Sequence, residues 1–368
     1  MKLRILTDYL DSILLPVYQE NYDNAGLIVG DLDSDVHSAL VSLDVTPTVV
    51  DEAIAINADI IVSHHPLIFG GIKKITSNNA TGHMLLRLAQ HNIAVYAAHT
   101  NLDNMEWGVN GILADRLGLN DRHILRPLGG VLGKVITYVP RDYADRIRQT
   151  LFSVGAGCIG SYDHCSFNSD GVGTFRAGDG CNPFCGTIGE EHHENETRIE
   201  AIYEHRIEHV MLQQLRKAHP YEEPVIDLMP LCNPHPHIGA GLVGKLSDPL
   251  STHDFLLKVK ELLHLPTIRI SSASEQRLAL PVATVALCGG AGSFLIGDAR
   301  ACGADIYLTA DLKYHDFPTD DNHLIVADIG HYESEQFAKD LLHKIISEKF
   351  TNFACRISEQ GNSFVQYI

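Results

Sequence analysis

Six short apolar runs, each closing on polar residues, set the rhythm of this 368-residue chain. They are ALVSLDV at 39–45, DIIVSHH at 59–65, IAVYAAH at 93–99, ATVALCGG at 283–290, DIYLTAD at 305–311 and LIVADIG at 324–330. Helical stretches lie between the early ones, VVDEAIAIN after Thr48 and HMLLRLAQHN from His83. Runs this apolar, alternating with helices, predict an α/β fold: strands buried on both faces of one mostly parallel sheet flanked by helices. Such sheets bind ligands outside the carboxyl ends of their strands. Those ends carry Asp44, His64, His65, His99, Gly289, Gly290, Asp311 and Asp328.

The middle of the chain has another pattern. VLGKVITYVP is followed by a helix-like DYADRIRQTLFSVGAG, a stretch rich in Gly, Ser and Cys, and then EHVMLQQLRKAHPYEEPVIDLMPL. Strand, helix, irregular strands, helix and strand in that order predict an α+β unit of the split βαβ, ferredoxin-like kind. RPLGG at 126–130 and CNPHPHIGAG at 232–241 read as junctions. The expected organisation is a discontinuous α/β domain, 1–128 plus 238–368, with an α+β domain inserted at 129–237.

Composition is that of a globular protein, 45% hydrophobic and 20% charged, and a chain of this length exceeds one comfortable core. A net charge of −18 gives no long-range attraction to nucleic acid or anionic membranes. The first sixteen residues hold an apolar run broken by Asp8 and Asp11, which reads as a first helix and not a signal peptide. Eight cysteines without a CxxC pair suit reduced thiols and a cytoplasmic setting. Twenty-one histidines are many, and their placement carries the chemistry.

His64 and His65 end one strand, and Pro66 holds His65 extended, so the two rings can diverge to flank two ions; capping a strand is the plainer role for such a pair. After the next strand, His99 and Asp103 offer an imidazole and a carboxylate able to bridge two cations, or else an Asx turn. His331 and Glu335, four residues apart at a helix start, share one face; a first-turn acid beside a surface histidine is the alternative. Together these signals give three histidines and two acids at one edge. Nitrogen and carboxylate oxygen without thiolate suit two divalent ions of zinc, iron or manganese. Gly289, Gly290 and Gly292 could aim backbone amides at an anionic group, or form a tight turn. Asp311, His315 and His99 are candidates for proton transfer and substrate contact. Cys181-Asn-Pro-Phe-Cys185, followed by His192 and His193, lacks a standard zinc-finger spacing and reads as an irregular loop.

These segments together resemble the Nif-three-like dinuclear-metal family, also called GTP cyclohydrolase I type-two homologues. The matching stretches are ENYDNAGL at 20–27, SHHP at 63–66, HTNLD at 99–103, CGGAGS at 288–293, TADLKYH at 309–315 and GHYESE at 330–335. GAGCIGSYDHCSF at 155–167 and AHPYEEP at 218–224 are similar to the longer bacterial members. Tyr22 stands where a Trp is frequent, and Cys185 where an aliphatic residue is more usual. The resemblance implies two metals held by His64, His65, Asp103, His331 and Glu335, a ring-shaped homohexamer, and an insert similar to the small PII and copper-tolerance proteins. The expected function is a metal-dependent hydrolase acting on a nucleotide or phosphorylated small molecule. Its rival is a metal-handling or regulatory assembly with a ligand-sensing insert.

Overall fold

The apolar runs near residues 40, 61 and 95 are neighbouring parallel strands in a computed structural model that describes residues 1–317, 323–360 and 363–368. Residues 1–127 supply β1 (Gly26–Val29), β2 (Ser38–Ser42), β3 (Ile60–Ser63), β4 (Ala94–Ala97) and β5 (Leu119–Pro127). Next come β6 (Leu132–Pro140), β7 (Phe167–Arg176), β8 (Glu191–Glu204) and β9 (Ile226–Pro230). The remainder supplies β10 (Gly239–Ser251), β11 (Arg269–Ile270), β12 (Pro281–Ala291), β13 (Ile306–Ala310), β14 (Ile325–Asp328) and β15 (Ala354–Ile357). The chain divides into two compact units, Met1–Pro127 with His237–Ile368, and Leu128–Pro236.

In the first unit, one sheet runs β1-β4-β3-β2-β15. Side chains alternate across it, as strand geometry requires. Leu40, Ile61 and Val95 enter one core with Val49, Val50 and Leu88. Val41, Val62 and Tyr96 enter the other, with Leu6, Leu10, Leu342 and Ile346. The crossover helices start where the sequence supplies caps: Thr46 Oγ1 accepts from the Val49 amide at 3.2 Å ahead of Pro47, and Asn79 Oδ1 accepts from the Gly82 amide at 2.7 Å.

The strands near 286, 308 and 326 do not join that sheet. They form a second one, β11-β14-β13-β12-β10-β5, in which β12, β13 and β14 are parallel and the other pairings antiparallel. The single sheet expected from the sequence is therefore two mixed sheets. Doubly buried runs look alike whichever sheet holds them, and the antiparallel strands β5 and β10 carry too many polar residues to stand out. The two halves of the sequence also exchange strands. β5, from the first half, pairs with β10 in the second sheet; β15, from the last residues, pairs with β2 in the first.

The second unit has the order strand, helix (Ala144–Ser153), two strands, helix (Glu208–Ala218), strand. Its sheet, β7-β8-β6-β9, is antiparallel throughout, which is the split βαβ arrangement. Val135, Val139, Ile199 and Ala201 meet Ile147, Leu151, Met211 and Leu215 of the two helices in one core. Among the described residues no helix is long and apolar enough to cross a membrane.

Candidate metal centre

Backbone hydrogen bonding carries the chain straight past the end of β3. The His64 amide donates to Ser42 O and the His65 amide to Leu43 O, at 3.2 and 2.8 Å, so the two rings leave an extended segment held on one side by its neighbour. Ser63 Oγ donates to His65 O at 2.7 Å and fixes the turn that follows. The rings lie 4.8 Å apart, tilted by 44°. Beyond β4, His99 and the short helix Thr100–Asp103 come next to them. From the second sheet, the helix His331–Glu335 begins after Gly330 and brings both its ends to the same place. His65 Nε2 is 3.0 Å from Glu335 Oε2 and 3.3 Å from His331 Nε2. His331 Nε2 is 3.0 Å from Glu335 Oε2. His64 Nε2 stands 3.5 Å from Asp103 Oδ1 and 3.8 Å from Glu335 Oε2. All five candidate ligands thus gather where the carboxyl ends of β3 and β4 in one sheet meet a helix that follows β14 in the other.

All four histidines are held through Nδ1. His64 Nδ1 meets Ala98 O at 2.7 Å, and His65, His99 and His331 meet Asp44, Asp23 and Asp311, each also at 2.7 Å. Engaging Nδ1 with an oxygen fixes the ring and turns Nε2 inward, as imidazole metal ligands are commonly held. Asp44 and Asp23 have no signature of their own in the sequence; their positions, at the end of β2 and inside ENYDNAGL, were the available clues. Asp311 takes the role of orienting His331. His315 is exposed, and its ring packs on the neighbouring Tyr314, with centroids 5.1 Å apart; the structure does not bring it to the cluster.

The electrostatics follow from burial and these contacts. Complete burial lowers the His64 pKa to about 3 and keeps the ring neutral. Burial opposes the charged form of His65, but Asp44 and Glu335 outweigh it and raise the pKa to about 10. At His331 the same contest, with Glu335 and Asp311 on the other side, gives about 9. Burial works against the Asp23 carboxylate, yet hydrogen bonds from His99 and Thr100 bring it down to about 2. Burial and the neighbouring Glu335 push Asp103 well above the usual carboxylate range. Glu335 is also desolvated, but His331 and His65 hold it well below.

The glycine turn acts by leaving space. The amides of Gly289 and Gly290 are donated to Asn110 Oδ1 and Ser334 Oγ, at 2.8 and 3.0 Å, so they are not turned toward an anionic ligand as the sequence suggested. A Cβ on Gly290 would lie 2.2 Å from Glu335 Oε1, and one on Gly292 2.4 Å from Thr309 Oγ1. A glycine pattern looks the same whether its amides face a ligand or a neighbouring helix, and here the helix carrying Glu335 takes the space. Cys288, just before the turn, is buried, and burial with Asp103 and Glu335 nearby raises its thiol pKa, which makes it an inert neighbour.

A two-sheet α/β unit with an inserted α+β unit, and a buried His64–His65–Glu335 cluster that could hold a metal ion, defines the class. The chain belongs to the Duf34/NIF3 (NGG1p interacting factor 3) family, whose model matches residues 1–362. It is 37% identical to the GTP cyclohydrolase 1 type 2 homolog of Halalkalibacterium halodurans, over 89% of this chain and 88% of the relative. Identity to the Bacillus subtilis protein of the same name is 36%, over 90% and 88%. Among solved structures it is similar to a Bacillus cereus protein related to NIF3, with a TM-score of 0.84 and 33% identity across 100% of this chain and 99% of that one.

Proposed function

We propose that the cluster holds two divalent cations and that the protein is a metal-dependent hydrolase of a nucleotide or another phosphorylated small molecule. GTP ring opening, in keeping with the name of its relatives, is one such reaction. The observation that carries the metal reading is the pair His64 Nε2 and Asp103 Oδ1. Both atoms are buried without a hydrogen-bond partner and face each other at 3.5 Å. With His64 neutral and Nδ1–H given to Ala98 O, Nε2 offers only a lone pair, so the space between the two atoms calls for a proton carried by Asp103 or for a cation, and a cation there would also meet Glu335 Oε2. His64, His65, Asp103, His331 and Glu335 would hold the ions, with Glu335 Oε2 within 3.8 Å of the Nε2 atoms of all three histidines. Imidazole and carboxylate donors fit zinc, iron or manganese. Ions bound there would polarise a phosphoryl or carbonyl oxygen of the substrate.

The chain's own residues would do the rest. A cleft of about 310 Å³ opens beside the cluster, lined by Asp23, Asn24, Ile68, Phe69 and the turn Gly70–Ile72. The Phe69 ring meets His99 edge-on at 5.6 Å, so a planar group in the cleft would reach the metal ligands past His99. With Nδ1 anchored on Asp23, His99 keeps Nε2 for proton transfer at this mouth. Lys73 and Lys74, exposed just beyond the turn, supply positive charge for an anionic substrate that the chain's overall charge would repel.

The test is metal content measured beside turnover on a panel of nucleotides and phosphoesters, with wild type and Asp103→Ala. Turnover by the loaded wild type, lost with metal in Asp103→Ala, supports the hydrolase. Asp311→Asn should keep the site and weaken metal binding about 10–100-fold, the usual cost of removing a ligand's orienting partner. Metal retained with no turnover across the panel leaves the metal-handling or regulatory assembly as the reading, in which the insert would act as a PII-like, ligand-sensing part.

A further inference from the structure

The inserted unit gathers a second set of ligand-type side chains, none of them part of the cluster above. Sγ of Cys185, a ring nitrogen of His192 and a carboxylate oxygen of Glu194 all lie within 4.8 Å of one another. His192 Nε2 is 2.9 Å from Glu194 Oε2. The sequence set Cys181, Cys185, His192 and His193 side by side, and the structure keeps only Cys185 and His192 of these four. On β8, side chains two apart share a face, which joins His192 to Glu194 and turns His193 away, to Glu191 at 3.2 Å. Cys181 is exposed.

Three features build the place. Gly186, at φ 82°, lets the loop close over His192; a Cβ there would meet His192 Cβ at 2.9 Å and Cγ at 3.0 Å. The loop is pinned just ahead of Cys185: the Asn182 amide donates to Glu222 Oε2 at 2.9 Å, and Phe184 packs edge-on against Tyr143 at 5.4 Å. Gly173 sits opposite Glu194 in the β7–β8 register, and its missing side chain leaves room on that face for the Glu196 carboxylate. Ligand atoms around a tetrahedral zinc stand about 3.3–3.8 Å apart, given metal–ligand distances of about 2.0–2.3 Å. All three pairs lie within 4.8 Å, and opening the His192–Glu194 contact from 2.9 Å by about half an ångström would bring that pair to the tetrahedral spacing.

We propose that Cys185, His192 and Glu194 form a second metal site, in the inserted unit, for a borderline divalent transition-metal ion such as zinc, with the fourth position open to a small ligand. Binding takes the proton from the Cys185 thiol to solvent and leaves a thiolate–metal bond. The thiolate separates this site from the nitrogen-and-oxygen cluster, and it suits zinc-like ions over magnesium or calcium.

Cobalt(II) titrated into the reduced full-length protein is the probe, because thiolate ligation gives a near-ultraviolet charge-transfer band that imidazole and carboxylate ligands do not. The band is expected in the wild type, lost in Cys185→Ser, and kept in Cys181→Ser and Cys288→Ser. His192→Ala and Glu194→Gln should each weaken the cobalt affinity read from that band by about tenfold or more. A wild type without the band, a band that survives Cys185→Ser, or one that disappears with Cys288→Ser would overturn the site. Unchanged affinity in both His192→Ala and Glu194→Gln would overturn the three-ligand assignment even where Cys185 binds cobalt.

Discussion

Gly290 shows how a single missing side chain can decide whether a site exists. Its φ of 62° lies in the left-handed region, and the space a Cβ would fill belongs to Glu335. Gly290→Ala should lower stability by about 1–3 kcal/mol through backbone strain and displacement, and should lose metal as well. Gly289→Ala is the comparison. Its Cβ would meet Val109 Cγ1 at 3.1 Å and Glu335 Cγ at 3.3 Å, a tight fit with no oxygen in the way, so metal content should largely survive. Thermal melts beside elemental analysis read both effects. The histidines make a prediction of their own, for chelator-treated protein. His65 and His331 have pKa values raised to about 10 and about 9, against about 6.5 when unfolded. Between those values the folded chain binds more protons than the unfolded one, so stability falls as pH rises; below about 6.5 the contribution is complete. His64, lowered to about 3, acts in the other direction, with stability lost as pH falls below about 6.5 because the unfolded ring takes up a proton. Melting temperature should therefore peak near neutrality and fall toward pH 10, and His65→Ala should flatten the alkaline side. A melting temperature that stays level from pH 7 to pH 10 would contradict the assignment.

Legibility at the scale of elements was uneven. The runs at 39–45 and 59–65 could be read as strands because both faces are buried, and the residues after them could be picked out because polar groups there stand at a functional edge. What an apolar run does not encode is its neighbour: nothing in DIYLTAD says it pairs with β12 and β14 and not with β3, which is why two sheets looked like one. β5 was unreadable for the opposite reason, since LNDRHILRP mixes buried Leu119, Ile124 and Leu125 with exposed charges. The same holds for contacts at the cluster. His65 and Glu335 were visible as residue types in suggestive places, whereas the anchoring of rings by Asp44 and Asp23 depends on folding and has no spacing in the sequence.

For the whole molecule, the register of β5 against β10 has a practical outcome. Pro127, the last residue before the inserted unit, lies opposite Gly239, just after it. The chain leaves and re-enters the first unit at adjacent points of one antiparallel pair, where a short turn could join them. Replacing Leu128–Pro236 with such a turn should give a folded protein that keeps its metal, as judged by circular dichroism and elemental analysis. An insoluble product, or a folded one without metal, would show that the first unit depends on the insert. By contrast, residues 1–127 and 237–368 expressed as separate chains should not fold independently, since each lends the other a strand.

The contact between His65 and Glu335 closes a loop of 270 residues. A cation shared by those two side chains would tie the ends of that loop together as a removable staple. In the chain-entropy view, a cross-link over such a span disfavours the unfolded ensemble by about 5 kcal/mol. Chelation should then do more than disarm the site: it should lower the melting temperature by several degrees at fixed pH, and returning zinc or manganese should restore it. The unit assembled from two distant stretches of chain would be fastened at its candidate metal centre.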